Sequence, residues 1–235
     1  LLFHLAQKIY SYMKLLLNNF FIFLFLVCSP AYCQVFQKEF SIKVSGIKIG
    51  KLVWKIQMNE TSYSNDLRLK SEGFLSAIYK FEGEYFSEGI IKNKKLKPST
   101  YSHIWKTNKI EKRMKLDFQS DFLILLEQTP YEKEKLRLDI FSIKNTKDPL
   151  SSFIEIIMGD SSSLVVDGRR IYNMDANLNK KNDETVIEIS NYSNLWADHK
   201  RSKFEKIIFE KEEGSFFPFK INIYFDGRIF RLEQN

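Results

Sequence analysis

The stretch DPLSSFIEIIMGDSSSLVVDGRRIY, from Asp148 to Tyr172, carries the one clear helical pattern in a chain that otherwise alternates like β-strands. Asp148 is a typical N-cap, because its carboxylate can accept hydrogen bonds from free backbone N–H groups, and Pro149 suits the first helical position. Gly159 is placed to end the helix in a left-handed conformation. We expect a short amphipathic helix that buries an apolar stripe formed by Leu150, Phe153, Ile154, Ile157 and Met158. Glu155 lies between the stripe residues, so a substitution there should have little effect.

The rest of the chain alternates apolar and polar residues with the period of two that strands show. The inward set changes parity around Gly50, which predicts a β-bulge or a sharp bend. Asp167-Gly168 and Asp226-Gly227 each predict a tight type I′ hairpin, in which both residues have positive φ. Many strands and one helix predict a mainly β fold: a curled antiparallel sheet, as an open or half β-barrel, with one short amphipathic helix. The clearest alternation has Phe217, Phe219, Ile221, Ile223 and Phe225 on one face.

The N-terminus has the features of a secretory signal peptide over residues 1–33. Lys14 precedes an apolar run from Leu15 to Val27, and a small-residue cleavage site follows before Gln34. Met13 is a more usual translation start than Leu1, and a start there would leave residues 1–12 untranslated. The alternative is a membrane anchor, but the apolar run is shorter than the roughly 20 residues that a spanning helix needs.

The chain is basic, with a formal charge of +7 and a pI of about 9.2. Its one dense basic cluster is KNKKLK, Lys92–Lys97, and no element that reads nucleic acid accompanies it, so we expect no nucleic-acid partner. No apolar run after the signal peptide is long enough to cross a bilayer. We therefore expect residues 34–235 to form a single β-rich domain that does not span a membrane.

The residues that usually carry catalysis or bind metals are sparse. The three histidines (His4, His103 and His199) lie far apart, and both cysteines, Cys28 and Cys33, would leave with the signal peptide. The chain has no HExxH, GxSxG, P-loop or GxGxxG motif. We expect no metal, no cofactor and no catalytic residue, and therefore a protein that is not an enzyme.

Aromatic and apolar side chains are expected on the inner face of the curled sheet and on the helix. They form either an ordinary filled core or the lining of a cavity for a small molecule or lipid, and the sequence leaves both open. The arginines after the two DGR turns, Arg169, Arg170 and Arg228, are candidates for binding an anion and could equally pair with local acids. The candidates for a ligand lining are Trp54, Phe81, Tyr85, Tyr101, Trp105, Phe153, Ile157 and Phe219.

Five segments stand in a characteristic order: SGIKIGK from Ser45, FSEGIIKNKKLKPSTY (Phe86–Tyr101), DPLSSFIEII (Asp148–Ile157), VVDGRRIY (Val165–Tyr172) and FFPFKINIYFDGRIFRL (Phe216–Leu232). Together they resemble the domain-of-unknown-function 3108 family of exported bacterial proteins. The resemblance implies a location in the periplasm of a Gram-negative cell. It brings no catalytic residues, because the family has no established activity. It also implies an open, curled antiparallel sheet around one helix, similar in outline to the lipoprotein-carrier folds.

These observations favour a non-enzymatic periplasmic envelope protein that binds a hydrophobic or acyl-bearing ligand, or an envelope partner, in the concavity of the sheet. The alternative is a structural protein–protein interaction module whose core is filled and whose sheet edge pairs with another protein. A third hypothesis is an enzyme that acts on envelope glycan or lipid, which would need titratable groups in a pocket. A hollow interior would separate the first hypothesis from the second.

Overall fold

A computed structural model describes residues 33–73, 75–78, 80–179, 183–196 and 204–235 of the chain. Residues 1–32, which hold almost all of the predicted signal peptide, and the histidines His4 and His199 lie outside the described residues. Residues Gln34–Asn235 form one compact unit. Within the described ranges, no helix combines the length and the apolar character that crossing a membrane requires.

The described residues form fourteen strands and two α-helices. The helices are Leu75–Ile78 and Pro149–Ile157, the second of which is called the central helix below, and a 3-10 turn covers Ile140–Ser142. The strands are β1 (Gln34–Val44), β2 (Ile47–Met58), β3 (Ser62–Ser71), β4 (Phe81–Lys92), β5 (Lys95–Thr107), β6 (Glu111–Gln119), β7 (Phe122–Thr129), β8 (Thr146–Lys147), β9 (Ser162–Val166), β10 (Arg170–Asn179), β11 (Glu184–Asn194), β12 (Phe204–Glu210), β13 (Lys220–Phe225) and β14 (Arg228–Gln234).

All fourteen strands belong to one sheet, in the order β7-β6-β5-β4-β3-β2-β1-β14-β13-β12-β11-β10-β9-β8. The first and last strands, β1 and β14, are antiparallel neighbours in the middle of this order, so the two ends of the domain are joined by backbone hydrogen bonds. At the edges, an isolated bridge links Phe122 to Lys144, and the Asn145 N–H donates to the Asp121 carbonyl at 2.8 Å. The sheet is therefore a nearly closed, barrel-like one, which confirms the predicted fold class.

The central helix begins as the sequence predicts. The Asp148 carboxylate accepts from the backbone N–H groups of Leu150 and Ser151 at 2.9 and 3.0 Å, and Pro149 occupies the first turn. Gly159 has φ +110°, the left-handed conformation expected after the last turn. The Lys211 ammonium donates to the Ile157 carbonyl at 3.2 Å, so a cation also satisfies the C-terminal end of the helix.

The predicted one-sided burial of the helix is wrong. Ser151, Ser152 and Glu155 are buried along with the apolar stripe, while Met158, predicted to be buried, is 46% exposed. The barrel surrounds the helix, whose apolar residues enter two clusters of buried side chains: Ile154, Ile156 and Ile157 in one, Leu150 in the other. A helix inside a curled sheet has no solvent face, so the polar side chains along it find partners in the protein.

The turn predictions had mixed outcomes. The β1–β2 register shifts after Ile42, next to Gly50, which confirms the bulge; a Cβ at Gly50 would lie 2.4 Å from the Lys70 carbonyl oxygen. Asp226 and Gly227 have φ of 49° and 70°, as a type I′ hairpin needs. The same prediction for Asp167-Gly168 is wrong, because only Gly168 has positive φ. There the Asp167 carboxylate accepts from the N–H groups of Arg169 and Arg170, both at 2.8 Å, and this fixes a different turn.

Candidate functional site

A half-open cavity of about 480 Å³ lies between the central helix and strands from both halves of the sheet. Most of its lining is aliphatic or aromatic. The helix contributes Pro149, Leu150 and Phe153, and the strands contribute Leu52, Trp54, Leu67, Leu69, Met174, Ile207, Ile221, Ile223 and Leu232 among others. The volume falls within the roughly 300–1,000 Å³ that is usual for small-molecule sites.

Trp54 and Phe153 join the sheet to the helix at the cavity wall. Their rings stack with centroids 5.6 Å apart and an angle of 12° between the planes, and the Phe153 ring also meets Phe209 edge-on. The indole Nε1 of Trp54 donates to the side-chain Oδ1 of the buried Asn65 at 2.7 Å. Because its polar atom is satisfied away from the cavity, Trp54 presents an apolar face to the lining.

One polar cluster interrupts this apolar lining, formed by Tyr85, Tyr101, His103, Asp167, Arg169 and Arg170. The Tyr101 hydroxyl and His103 Nδ1 share a hydrogen bond of 3.1 Å, and the rings of Tyr85 and His103 lie 5.4 Å apart. The Arg170 guanidinium approaches the Asp167 carboxylate at 3.7 Å. Residues of β4 and β5 thus meet the β9–β10 turn.

Burial sets the protonation of this polar cluster. Desolvation, assisted by the charge of Arg169, lowers the pKa of His103 to about 4, so the imidazole is neutral at neutral pH. Desolvation also raises the pKa of Tyr85 to about 12, with a smaller effect from the Asp167 charge. The cluster therefore offers neutral hydrogen-bonding groups beside the two arginines.

The structure brings six of the eleven predicted site residues to this cavity: Trp54, Tyr85, Tyr101, Phe153, Arg169 and Arg170. The other five do not line it. Phe81 and Trp105 stack on each other with centroids 5.6 Å apart, and Ile157 faces a second, more polar cavity of about 410 Å³ beyond the C-terminal end of the helix. Phe219, just before β13, is exposed, and Arg228 is exposed beside the β13–β14 turn.

The sequence predictions omit His103 and Asp167 from the candidate site. His103 shares strand parity with Tyr101, two residues earlier, and that parity is the signal that could have placed it there. The sequence pattern indicates only a turn at Asp167. In the part of the chain that the structure covers, no three His, Cys, Asp or Glu side chains cluster in a way that could hold a metal ion.

Acid is expected to destabilise the protein through His103. Its pKa is about 4 in the folded protein and 6.5 for an unperturbed histidine, so the unfolded chain binds more protons between these values and stability falls as pH falls. Lowering the pH from about 7 to about 4.5 should cost about 2–3 kcal/mol at this residue. Urea unfolding of the native protein and of His103→Gln at both pH values measures this contribution.

The variant is the control for the other acids. Burial raises the pKa of Asp148 and Asp167, which acts in the opposite direction in both proteins, so the difference between the two proteins isolates His103. An equal pH dependence of stability in the two proteins would contradict the prediction.

Comparison with known proteins places the chain by sequence. A family model described as "Protein of unknown function (DUF3108)" matches residues 39–191, a range that contains four of the five segments quoted above and ends before the fifth, Phe216–Leu232. No curated protein matches the chain. A crystal structure described as a beta-barrel-like protein of domain of unknown function DUF1849 from Brucella abortus is similar over 85% of this chain and 95% of that one, with 10% sequence identity and a TM-score of 0.47. On the sequence match, the chain belongs to the DUF3108 family of proteins of unknown function.

Proposed function

We propose that this protein is exported to the periplasm, where it binds a hydrophobic, acyl-bearing ligand inside its barrel without catalysing a reaction. The observation that carries the proposal is the cavity of about 480 Å³ with its apolar lining. Protein interiors pack as densely as organic crystals and leave few voids larger than a water molecule. A filled core would not leave a space of this size between apolar side chains. The space is therefore better explained as a site for an apolar ligand.

The expected gain from binding is large enough for stable retention. Each buried CH₂ group contributes about 0.8 kcal/mol, so an acyl chain that enters the cavity with several methylenes gains several kcal/mol. The wall residues that would contact it come from distant parts of the sequence, such as Leu52, Phe153 and Ile223. Closure of the sheet around the helix is what brings them together.

The other two hypotheses rank lower. An interaction module with a filled core does not need this cavity, although β7 leaves a sheet edge on which Ile124 is exposed. An enzyme needs a titratable group ready to exchange a proton with its substrate. His103 and Asp167 are both in the cavity, but His103 is held neutral, and one oxygen of Asp167 is taken up by the two N–H groups of its own turn.

Filling the cavity is expected to expel the ligand. Ile223→Trp adds bulk to a half-buried lining residue and should reduce the acyl lipid that co-purifies by about 5- to 100-fold, because overpacking typically costs about 1–3 kcal/mol. Solvent extraction of the natively purified protein, followed by mass spectrometry of fatty acids and phospholipids, measures this.

The matched control is Ile229→Trp, at an exposed position on the neighbouring strand β14. It should retain as much lipid as the native protein. The proposal fails if native extracts contain no lipid and the fluorescence of Trp54 does not change when an acyl ligand is added to stripped protein. It also fails if the two tryptophan variants carry equal amounts. The interaction module would then be the better hypothesis.

A further inference from the structure

The cavity has a positive charge at its polar cluster that is only partly compensated. Neither the Arg169 guanidinium nor the Lys112 ammonium makes a hydrogen bond or ion pair with any residue that the structure describes. Burial, with a smaller effect from the charge of Arg169, lowers the pKa of Lys112, which lies outside the cavity lining. Arg169 lines the cavity, so its guanidinium donors are available to a ligand there.

Asp167 compensates this charge only in part. Burial raises the pKa of its carboxyl, and the charge of Arg169 is one of the smaller effects that lower it. Asp167 is the carboxylate of the polar cluster, and its Oδ1 accepts from the backbone N–H groups of Arg169 and Arg170. Its Oδ2 faces the Arg170 guanidinium at 3.7 Å. Asp167 is thus already shared between its turn and Arg170, and His103 beside Arg169 carries no charge at neutral pH.

The remaining side chains around Arg169 suit a ligand with two unlike ends. The hydroxyl of Tyr101 and the imidazole of His103 can exchange hydrogen bonds with an oxygen-rich group. Beyond them the lining is apolar as far as Trp54 and Phe153. A guanidinium presents a planar fork of donors that matches a carboxylate or a phosphate.

We infer that the ligand is an anionic amphiphile, an apolar chain that ends in a carboxylate or phosphate, and that Arg169 binds the anionic head. This inference rests on the proposed function, because it assigns an orientation to the acyl ligand of the same cavity. The chain lies against the helix and the sheet wall, and the head lies at the β9–β10 turn.

Binding of matched probes tests the assignment. Stripped native protein, Arg169→Gln and Arg228→Gln are titrated with dodecanoate, dodecyl phosphate, dodecanol and inorganic phosphate near neutral pH, and tryptophan fluorescence or calorimetry gives the affinities. Arg169→Gln should weaken dodecanoate and dodecyl phosphate by about 10- to 100-fold, the range for a hydrogen bond to a charged group, and should leave dodecanol unchanged. Arg228→Gln, the corresponding change at the exposed DGR turn, should alter none of them.

Each outcome separates the inference from the proposed function. Retained dodecanol binding by Arg169→Gln shows that the variant is folded and its cavity intact. If Arg169→Gln binds all three dodecyl probes like the native protein, or loses them equally, the assignment of the head to Arg169 is overturned while acyl binding stands. If inorganic phosphate binds as tightly as dodecyl phosphate, the site binds a free anion, and the inference that the ligand is an amphiphile is overturned. If the native protein binds no dodecyl probe, the proposed function itself fails.

Discussion

Replacing Ile154 by aspartate is expected to remove most of the stability of this protein. Ile154 lies in the middle of the central helix, is 0% exposed and belongs to the larger cluster of buried apolar side chains. An unpaired carboxylate there would cost at least about 4 kcal/mol, against a total stability of about 5–15 kcal/mol for a typical domain. Urea unfolding followed by circular dichroism, with the soluble yield recorded beside it, measures the loss.

Met158→Asp is the matched control. The sequence assigns both residues to one apolar stripe, but Met158 is 46% exposed at the end of the helix. The new charge there meets water and only the unfavourable end of the helix dipole, so the cost should stay below about 1 kcal/mol. Equal losses at the two positions would mean that the helix is not enclosed by the barrel.

The contrast between Ile154 and Met158 shows which features of the helix can be predicted from the sequence. Local signals are sufficient for the N-cap at Asp148 and the ending at Gly159, because each depends on neighbours within one helical turn. Burial on the polar side of the helix could not be predicted, because the partners there are remote in sequence. The Ser151 hydroxyl meets the Tyr63 hydroxyl at 2.6 Å across 88 residues, and Ser152 meets Ser163 at 2.8 Å.

The same limit applies to the candidate site. Strand alternation gives the face on which a side chain lies, and it correctly places Trp54, Tyr85 and Tyr101 on the inside. Alternation does not give the position along the strand at which a cavity lies. Phe81 is the first residue of β4 and Trp105 lies near the end of β5. Their rings stack on each other and do not line the cavity.

The central helix connects the stability of the fold to the cavity. Its Phe153 forms part of the lining, while Asp148 and Glu155 hold the helix to the barrel. The Asp148 carboxylate accepts from the Ser87 hydroxyl of β4 at 2.9 Å, and Glu155 accepts from the Leu96 N–H of β5 at 2.5 Å. Because these hydrogen bonds are buried, removing one partner leaves the other without a hydrogen bond and lowers the stability of the fold.

Glu155→Ala is therefore expected to destabilise the protein by about 3–5 kcal/mol, the range for removing one partner of a buried ion pair. Glu155 is 2% exposed and pairs with the Lys147 ammonium, which is itself only 12% exposed. The alanine would leave a buried ammonium without a counter-ion and the Leu96 N–H without its acceptor. Urea unfolding at neutral pH measures the loss. This expectation differs from the sequence prediction that a change at Glu155 matters little, because the structure buries the carboxylate and pairs it with Lys147.

Two further variants show that the cost comes from the orphaned groups. Asp160→Ala removes one partner of the surface pair between Asp160 and Lys95, whose side chain is half exposed, and should cost at most about 1 kcal/mol. Replacing Lys147 and Glu155 together by methionine removes both charges at similar volume, so it should recover most of the stability lost in Glu155→Ala. The Leu96 N–H stays without an acceptor in that double variant, which leaves a residual loss of about 1–3 kcal/mol. If the double variant were less stable than Glu155→Ala, the ion pair would be stabilising in its own right and the unpaired Lys147 would not be the source of the cost.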